Sequence, residues 1–591
     1  MRLSGFNMHS LARKVREIEI GTLLSALIIM AILTYFIVLP IFYVFIGAFS
    51  TSKGFGLDNF VLYFNMPSMR EGLMNALLAG VLTTIFTRLV GVTAAFIVSR
   101  YDFRGKSFFQ NLSVLPVVIP PFVGAFAMIY MMGRNGLITR LINYALKSIG
   151  INPYTIGIGY GLLKPNLWSL VFIQSIHLWP IIYLNVLASL SRLDPSLEES
   201  ARALGAHGFY LFRKVLFPLV FPGYVAGAVI VFLWSISDIG TPIMLGFLKF
   251  APYQAFAELV VYMGDVEYSY VICFILVVLT TVVLLVSSRI VGLKEYATAR
   301  VGVARGEVIR KVGLKGHVLI FAFFMIVLIL SLIPHIGIIL VSFTEIPRYG
   351  ELFPSKFTLR FMSAILTDIR YAIAPINSLI YSLLAMIIDI LIGLSIAYLL
   401  VRKRFPGQRL LDLIAMMPLV IPGIVIAIGY LRQFSEPIPG IGRLTTFWFI
   451  LVISYSMRRL PYSVRACEAI LRQIHVEMEE AALSVGASRI KIIFKVLIPL
   501  MLPGVLAGGL LSFVTAFTEV SSSLILYPLV PPITEHARPL TLEIYLMVQR
   551  GVTEAFGYAG CLGLIQIIVV AIVFYISNRL LKGRLGIAFG G

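Results

Sequence analysis

The sequence predicts an all-α polytopic membrane protein of twelve transmembrane helices, arranged as two parallel six-helix repeats, and three observations carry that expectation. Of 591 residues, 59% are hydrophobic and only 13% charged, and the mean hydropathy is +0.95, more than a soluble globular chain tolerates. Apolar runs long enough to cross about 30 Å of hydrocarbon fall in two sets of six. One stretch occurs twice, as EESARALGAHGFYLFRKVLFPLVFPG at 198–223 and EEAALSVGASRIKIIFKVLIPLMLPG at 479–504.

The first set of spans lies near 20–46, 73–99, 110–132, 165–190, 221–246 and 269–290. The second lies near 317–343, 375–401, 411–431, 446–468, 503–528 and 557–578. The halves align outside the duplicated stretch as well: Asn75, Arg100, Phe103 and Gly105 correspond to Asn377, Arg402, Phe405 and Gly407. Likewise Leu115–Pro120 (LPVVIP) corresponds to Met417–Pro422 (MPLVIP). Pro180 matches Pro461 at a smaller offset, so the first half carries an insertion of about twenty residues within 133–164, expected on the outer face. Equal span number and equal loop sidedness make this a parallel repeat about an axis along the membrane normal. The expected units are 1–288, with a loop at about 191–219, and 317–591, with a loop at about 472–500, joined by a basic linker at 289–316.

The net charge of +20 sits in short clusters between spans, which is the pattern of cytoplasmic loops and not of a nucleic-acid surface. With the amino terminus inside, the inner segments hold roughly twice the Lys and Arg of the outer ones. Both duplicated loops and both termini are therefore expected in the cytoplasm, and the linker's basic residues against anionic lipid. The apolar run after the basic amino terminus is too long for a signal-peptide core and reads as the first span. Cys273, Cys467 and Cys561 lack metal-ligand spacing and read as packing residues.

Each copy of the duplicated stretch reads as a helix, a sharp turn at glycine and a second short amphipathic helix running into proline. Glu199, Ala201 and Gly205 match Glu480, Ala482 and Gly486: a charge, a small side chain allowing close approach, and a helix breaker. This frame resembles the cytoplasmic loop of the membrane-spanning permeases of ATP-binding-cassette importers. There the pattern is E-A-A, three residues, G, nine residues, and two aliphatic positions before proline; Ser200 departs from it in the first copy. The resemblance implies the type I importer permease (MetI-like) fold, with each loop a coupling helix seated in a groove of an ATPase subunit. It implies two copies of a cytoplasmic ATPase and an extracytoplasmic solute-binding protein as partners, in a prokaryotic inner membrane. ATP and Mg then belong to the ATPase, because no GxxxxGK[ST] phosphate loop is present here and Gly105-Lys106-Ser107 is its only fragment. No cofactor is expected in this chain.

One acid falls inside the fifth span of each half. Asp238 and Glu519 lie at equivalent positions, fifteen residues past the Pro-Gly pairs, roughly 22 Å into the bilayer. A carboxylate at such depth needs a partner, a water-filled cavity or a proton. They are expected to line the substrate pathway and to be the place where a metal would bind transiently, the alternative being structural acids satisfied by hydroxyls or a neighbouring arginine. Arg88 and Asp389, one residue apart in repeat register, are expected to form an ion pair locking the halves together. His177, Arg458 and Arg459 read as interfacial anchors and His335 as a packing residue. An acid-lined cavity favours a cation. The twelve-span fused layout, with Asp-Ile-Gly-Thr-Pro after one loop and Glu-Val-Ser-Ser-Ser after the other, is similar to the ferric iron permeases; thiamine, phosphonate and polyamine permeases are relatives. An ion-coupled secondary transporter would need no paired loops, and no catalytic motif of a membrane enzyme appears.

Overall fold

The computed structural model describes residues 20–262, 264, 266–295, 310–345, 351–354, 356–440, 442–527, 537–551 and 553–580. The amino-terminal basic segment, linker residues 296–309 and the tail from 581 lie outside the described residues. Among those described, nine helices are long and apolar enough to cross a membrane. They are Ile20–Phe49, Pro67–Arg100, Leu167–Ser191, Gly208–Ser237 and Val266–Val291 in the first half, and Leu314–Phe343, Ile369–Arg402, Ile490–Phe517 and Glu554–Ser577 in the second.

The third span of each half is not the straight helix expected at 110–132 and 411–431. It is a pair of helices, Lys106–Val117 with Pro121–Ser148 bent by 100°, and Gln408–Val420 with Gly423–Phe434 bent by 109°. The repeated Pro-x-x-Ile-Pro explains the bend: prolines cannot donate to the preceding turn, and Pro120 and Pro422 take extended backbone angles. The twelfth position is filled by Phe449–Gln473, a helix whose Arg458, Arg459, Arg465 and Glu468 make it too polar to count on composition alone. Its repeat counterpart, Leu167–Ser191, is the most deeply buried of the apolar spans, so this position is central in both halves.

The two halves are interlocked, because the first span of each packs on the bent third span of the other. The Tyr430 hydroxyl donates to the Phe36 carbonyl at 2.8 Å and Gln433 to the Tyr35 carbonyl at 3.1 Å. Gly429 lies so close to Pro40 that a Cβ there would stand 2.5 Å from its carbonyl oxygen. In the reciprocal contact Gly337 meets Met131 and the Ala127 carbonyl, and Trp179 Nε1 donates to Ser331 Oγ at 3.1 Å.

Within each half, the second and fourth spans cross at matched glycines. A Cβ on Gly91 would lie 2.9 Å from the Trp179 carbonyl oxygen, and one on Gly393 2.9 Å from Ser463 Cβ. The two asparagines that align between the halves are used alike: Asn75 Nδ2 donates to the Lys249 carbonyl at 2.8 Å and Asn377 Nδ2 to the Arg538 carbonyl at 3.1 Å. The inserted segment, with its helix Leu137–Ser148, reaches the other half where Arg140 Nη1 donates to the Glu351 carbonyl at 2.7 Å.

Connectivity places both duplicated loops at one end of the bundle. Arg310–Lys311 pairs in parallel with Tyr101–Asp102, beside the first loop, and Leu314–Phe343 departs from there. Ile369–Arg402 returns from the far end, and Arg402 meets Glu479 of the second loop. Glu351 lies beyond the end of Leu314–Phe343, so the insertion sits at the far end, away from the loops.

The glycine crossings are testable. Gly91→Ala and Gly393→Ala are each expected to destabilise the detergent-solubilised chain by about 1–3 kcal/mol through overpacking against backbone. Gly21→Ala, with nothing within 4 Å, leaves the midpoint of a thermal unfolding curve where it was.

Candidate transport cavity and loop helices

Both fifth spans break where the sequence places an acid. Gly208–Ser237 ends at Asp238 and a short helix, Gly240–Leu245, follows; Ile490–Phe517 ends before Glu519 and is followed by Ser521–Leu526. Each carboxylate holds the freed amides of the short helix after it. Asp238 Oδ1 accepts from Thr241 N at 3.1 Å, and Glu519 Oε1 from Ser521 N at 3.1 Å and Ser522 N at 3.4 Å. The helix thus breaks before Gly240-Thr241-Pro242, and the acids are part of how the chain tolerates the break.

Asp238 and Glu519 line one cavity of about 220 Å³ at the junction of the halves. Its walls come from the bend of the first half's third span (Pro116, Phe122), from Gln174 and His177 on the fourth span, from the breaks of both fifth spans, and from Ser331 and Pro334 of the exchanged first span. Arg458 and Arg459 also line it, and neither they nor His177 are the interfacial anchors that the sequence suggests. Arg458 Nη1 and Arg459 Nη2 both bond Glu519, the latter at 2.5 Å. The sequence does carry a signal for this: adjacent arginines lie in mid-span, and His177 occupies the repeat position of Arg458.

The cavity's charge therefore differs from the acid-lined, cation-favouring one expected. Two guanidiniums face two carboxylates, and the lining is balanced. It is also lopsided: Glu519 is clamped by the arginine pair, while Asp238, half-buried, accepts from Gln174 Nε2 at 3.1 Å and has no ion pair among the described residues. Among the described residues no three His, Cys, Asp or Glu side chains converge, so Asp238 and Glu519 do not form part of a larger metal-ligand cluster there.

Arg88 and Asp389 are not brought together, and the expected lock between the halves is corrected. Arg88 is exposed, its guanidinium 5.2 Å from the ring centroids of Phe217 and Tyr224. Asp389 is fully buried and accepts from Ser456 Oγ at 2.6 Å and from Ser512 Oγ. One residue of register turns a helix by about 100°, so the two side chains leave different faces of equivalent helices. His335 Nδ1 contacts the Ser331 carbonyl at 3.1 Å, in keeping with a packing role.

At the loop end, Pro195–Ala203 and Glu477–Ser484 form the first helix of each duplicated stretch. Gly205 and Gly486 have φ of 86° and 81°, left-handed angles that a Cβ makes costly. Around them Ala206 N donates to the Ala201 carbonyl at 3.0 Å and Ala487 N to the Ala482 carbonyl at 3.1 Å, the six-to-one bond of a Schellman cap. Leu204 and Val485 project from the turns at 89% and 84% exposure, and Glu199 and Glu480 are exposed too. The glutamates before them turn inward. Glu198 contacts Arg100 Nε at 2.8 Å and Glu479 contacts Arg402 Nε at 2.6 Å, two pairs that the sequence alone does not assign.

The second helices also match. Each passes through one widened turn, Phe212–Leu216 and Ile493–Leu497, before Pro218 and Pro499, whose missing amides remove the ordinary bond of the next turn. From there each continues unbroken to the cavity.

Comparison with known proteins fits this geometry. Residues 87–294 and 389–587 each match the family described as binding-protein-dependent transport system inner membrane component. The chain belongs to that family. It is a fused two-repeat permease of the ATP-binding-cassette importer type, multi-pass in the inner membrane, and a transport component. The ferric transport system permease protein FbpB of Actinobacillus pleuropneumoniae is 28% identical over 94% of this chain and 77% of its own length. A putative ferric transport permease of Haemophilus influenzae is 26% identical over 88% and 80%. The molybdenum transport permease ModB of Escherichia coli K12 is 32% identical over 37% of this chain and 96% of its own. One chain of a crystallised bacterial ABC transporter involved in alginate import aligns with 45% of this permease at TM-score 0.35 and 16% identity.

The two acids should respond differently to neutralisation. Glu519→Gln strands two arginines in a buried site and is expected to cost about 3–5 kcal/mol. Asp238→Asn keeps an acceptor for Thr241 and costs far less, and thermal unfolding of the two purified variants checks the order.

Proposed function

We propose that this permease imports iron(III), driven by two copies of a cytoplasmic ATPase that carry the ATP and Mg, and loaded by an extracytoplasmic solute-binding protein. In this reading both termini and both duplicated loops are cytoplasmic, 1–288 and 317–591 are the two permease units, and 289–316 joins them. Glu199, Ala201, Gly205, Glu480, Ala482 and Gly486 form the ATPase-facing loops, and Asp238 and Glu519 lie on the cargo pathway.

One observation carries the mechanism. A continuous helix runs from each loop, Gly208–Ser237 and Ile490–Phe517, to the break that forms a wall of the shared cavity. Closure of an ATPase dimer on the loops then moves two rods whose far ends enclose the cargo. Because ATP binding and cargo binding draw on the same two states, each must shift the other's affinity by the same factor.

Iron is supported by the ferric permeases among the relatives that span most of the chain. The balanced lining suits a cargo of both signs, a hard metal ion with its anionic ligands, with oxygen atoms of Asp238 toward the metal and Arg458 and Arg459 toward the ligands. A bare trivalent cation would find no net attraction.

The test is uptake by proteoliposomes holding the permease, its ATPase and its binding protein. ATP-dependent entry of radio-iron(III) supplied as its citrate chelate is expected, with thiamine and spermidine excluded; thiamine entry in place of iron would reverse the cargo assignment. Asp238→Asn is expected to lower iron uptake at least about tenfold, as loss of a pathway carboxylate implies, while the ATPase still copurifies.

A further inference from the structure

The ion pairs Arg100–Glu198 and Arg402–Glu479 stand at equivalent places in the two repeats, each joining the last residue of a second span to the first glutamate of a loop's duplicated stretch. The distances are 2.8 and 2.6 Å, and both pairs are withdrawn from water, with side-chain exposures of 7% and 3% in the first and 9% and 15% in the second. Each has further support: Arg202 Nη2 meets Glu198 at 2.6 Å, and Arg402 Nη2 donates to the Ile474 carbonyl at 2.7 Å. A buried ion pair often stabilises no better than an apolar pair of the same size, so its occurrence at both sites points to control of position.

What the second spans carry at cavity depth gives that control a destination. In the first repeat Thr83 Oγ1 donates to Gln174 Oε1 at 3.2 Å, and Gln174 Nε2 donates to Asp238 Oδ2 at 3.1 Å. In the second, Asp389 accepts from Ser456 on the fourth span, one turn from Arg459, and from Ser512 on the fifth. Each repeat thus holds an unbroken path of loop glutamate, arginine, second span, buried polar contact and cavity wall.

We propose that Arg100 and Arg402 are positioning residues that transmit movement of the loop helices to the second spans, and through Thr83–Gln174 and Asp389 to the cavity. A push on one loop reaches the cavity by two members, the fifth span through the chain and the second span through the ion pair. This rests on the reading that the loops meet an ATPase.

The reporters are Ser237→Cys and Thr518→Cys, which occupy equivalent places in the cavity lining. The native Cys273, Cys467 and Cys561 are all buried, so background labelling is low. In the full complex with its copurifying ATPase, ATP should change the rate at which a membrane-impermeant maleimide labels each reporter. Arg402→Gln is expected to shrink that change at Thr518→Cys about fivefold or more, the lower end of ordinary coupling between sites, while the ATPase stays bound and hydrolyses ATP. Arg100→Gln should do the same at Ser237→Cys. Combining Arg402→Glu with Glu479→Arg should recover most of the change that either reversal alone removes. An undiminished change in both Gln variants would overturn the proposal, as would a double reversal no better than the singles, or loss of the ATPase from the Arg402→Gln complex. Failure of the loop reading itself would show earlier, as a parental complex that binds no ATPase or whose labelling ignores ATP.

Discussion

A backbone amide left unpaired in hydrocarbon costs several kcal/mol, so a span can break inside the membrane only where the protein supplies replacement partners. This chain breaks its fifth span in both halves, and the same device repairs each. A carboxylate at the break accepts the first amides of the short helix beyond. The acid then needs its own support. Glu519 takes two arginines, and Asp238 takes Gln174 and an opening to the cavity. The cavity, its charge balance and the irregular backbone around it are one solution to a single accounting problem.

Interlocking brings one exchanged first span into the cavity wall. Each first span is packed on the opposite half, so Ser331 and Pro334, from the start of the second repeat, line the cavity beside the third and fourth spans of the first. The halves are therefore not separable bodies meeting at a plane. Close backbone approach at Gly429 and Gly337 holds the exchanged spans in place.

Much of this is legible in the residues. Hydropathy gives the span positions because each span must satisfy a length set by the bilayer, and the duplicated stretch gives the repeat because its glycines and prolines are tied to backbone angles. Asn75 and Asn377, an alignment and nothing more in the sequence, each tie a second span to a distant carbonyl. Side-chain partners are less legible. Charge and depth suggest pairing Arg88 with Asp389, yet a single residue of register separates their faces. Arg458 and Arg459 have two explanations as a charged pair in an apolar helix, interface or cavity, and only the position of Glu519 on a neighbouring span decides between them. The bends in the third spans are written in paired prolines, but a hydropathy window reads composition and not direction.

The two repeats differ in charge where they face the cavity, while the positions that shape the loops are kept. At the loop end Arg100 matches Arg402, Glu198 matches Glu479 and Gly205 matches Gly486, and both copies have a widened turn before Pro218 and Pro499. At cavity depth His177 stands where the second repeat has Arg458, Leu178 where it has Arg459, and Thr87 where it has Asp389. In the proposed reading, a symmetric ATPase acting on both loops would call for the first kind of match. In the same reading, a single asymmetric cargo would permit the second, because one half would present a carboxylate and the other a clamped arginine pair to different faces of the same molecule. Fusion of two unlike repeats into one chain puts one of each in every permease, whereas a subunit assembling as two identical copies would place the same charges on both sides.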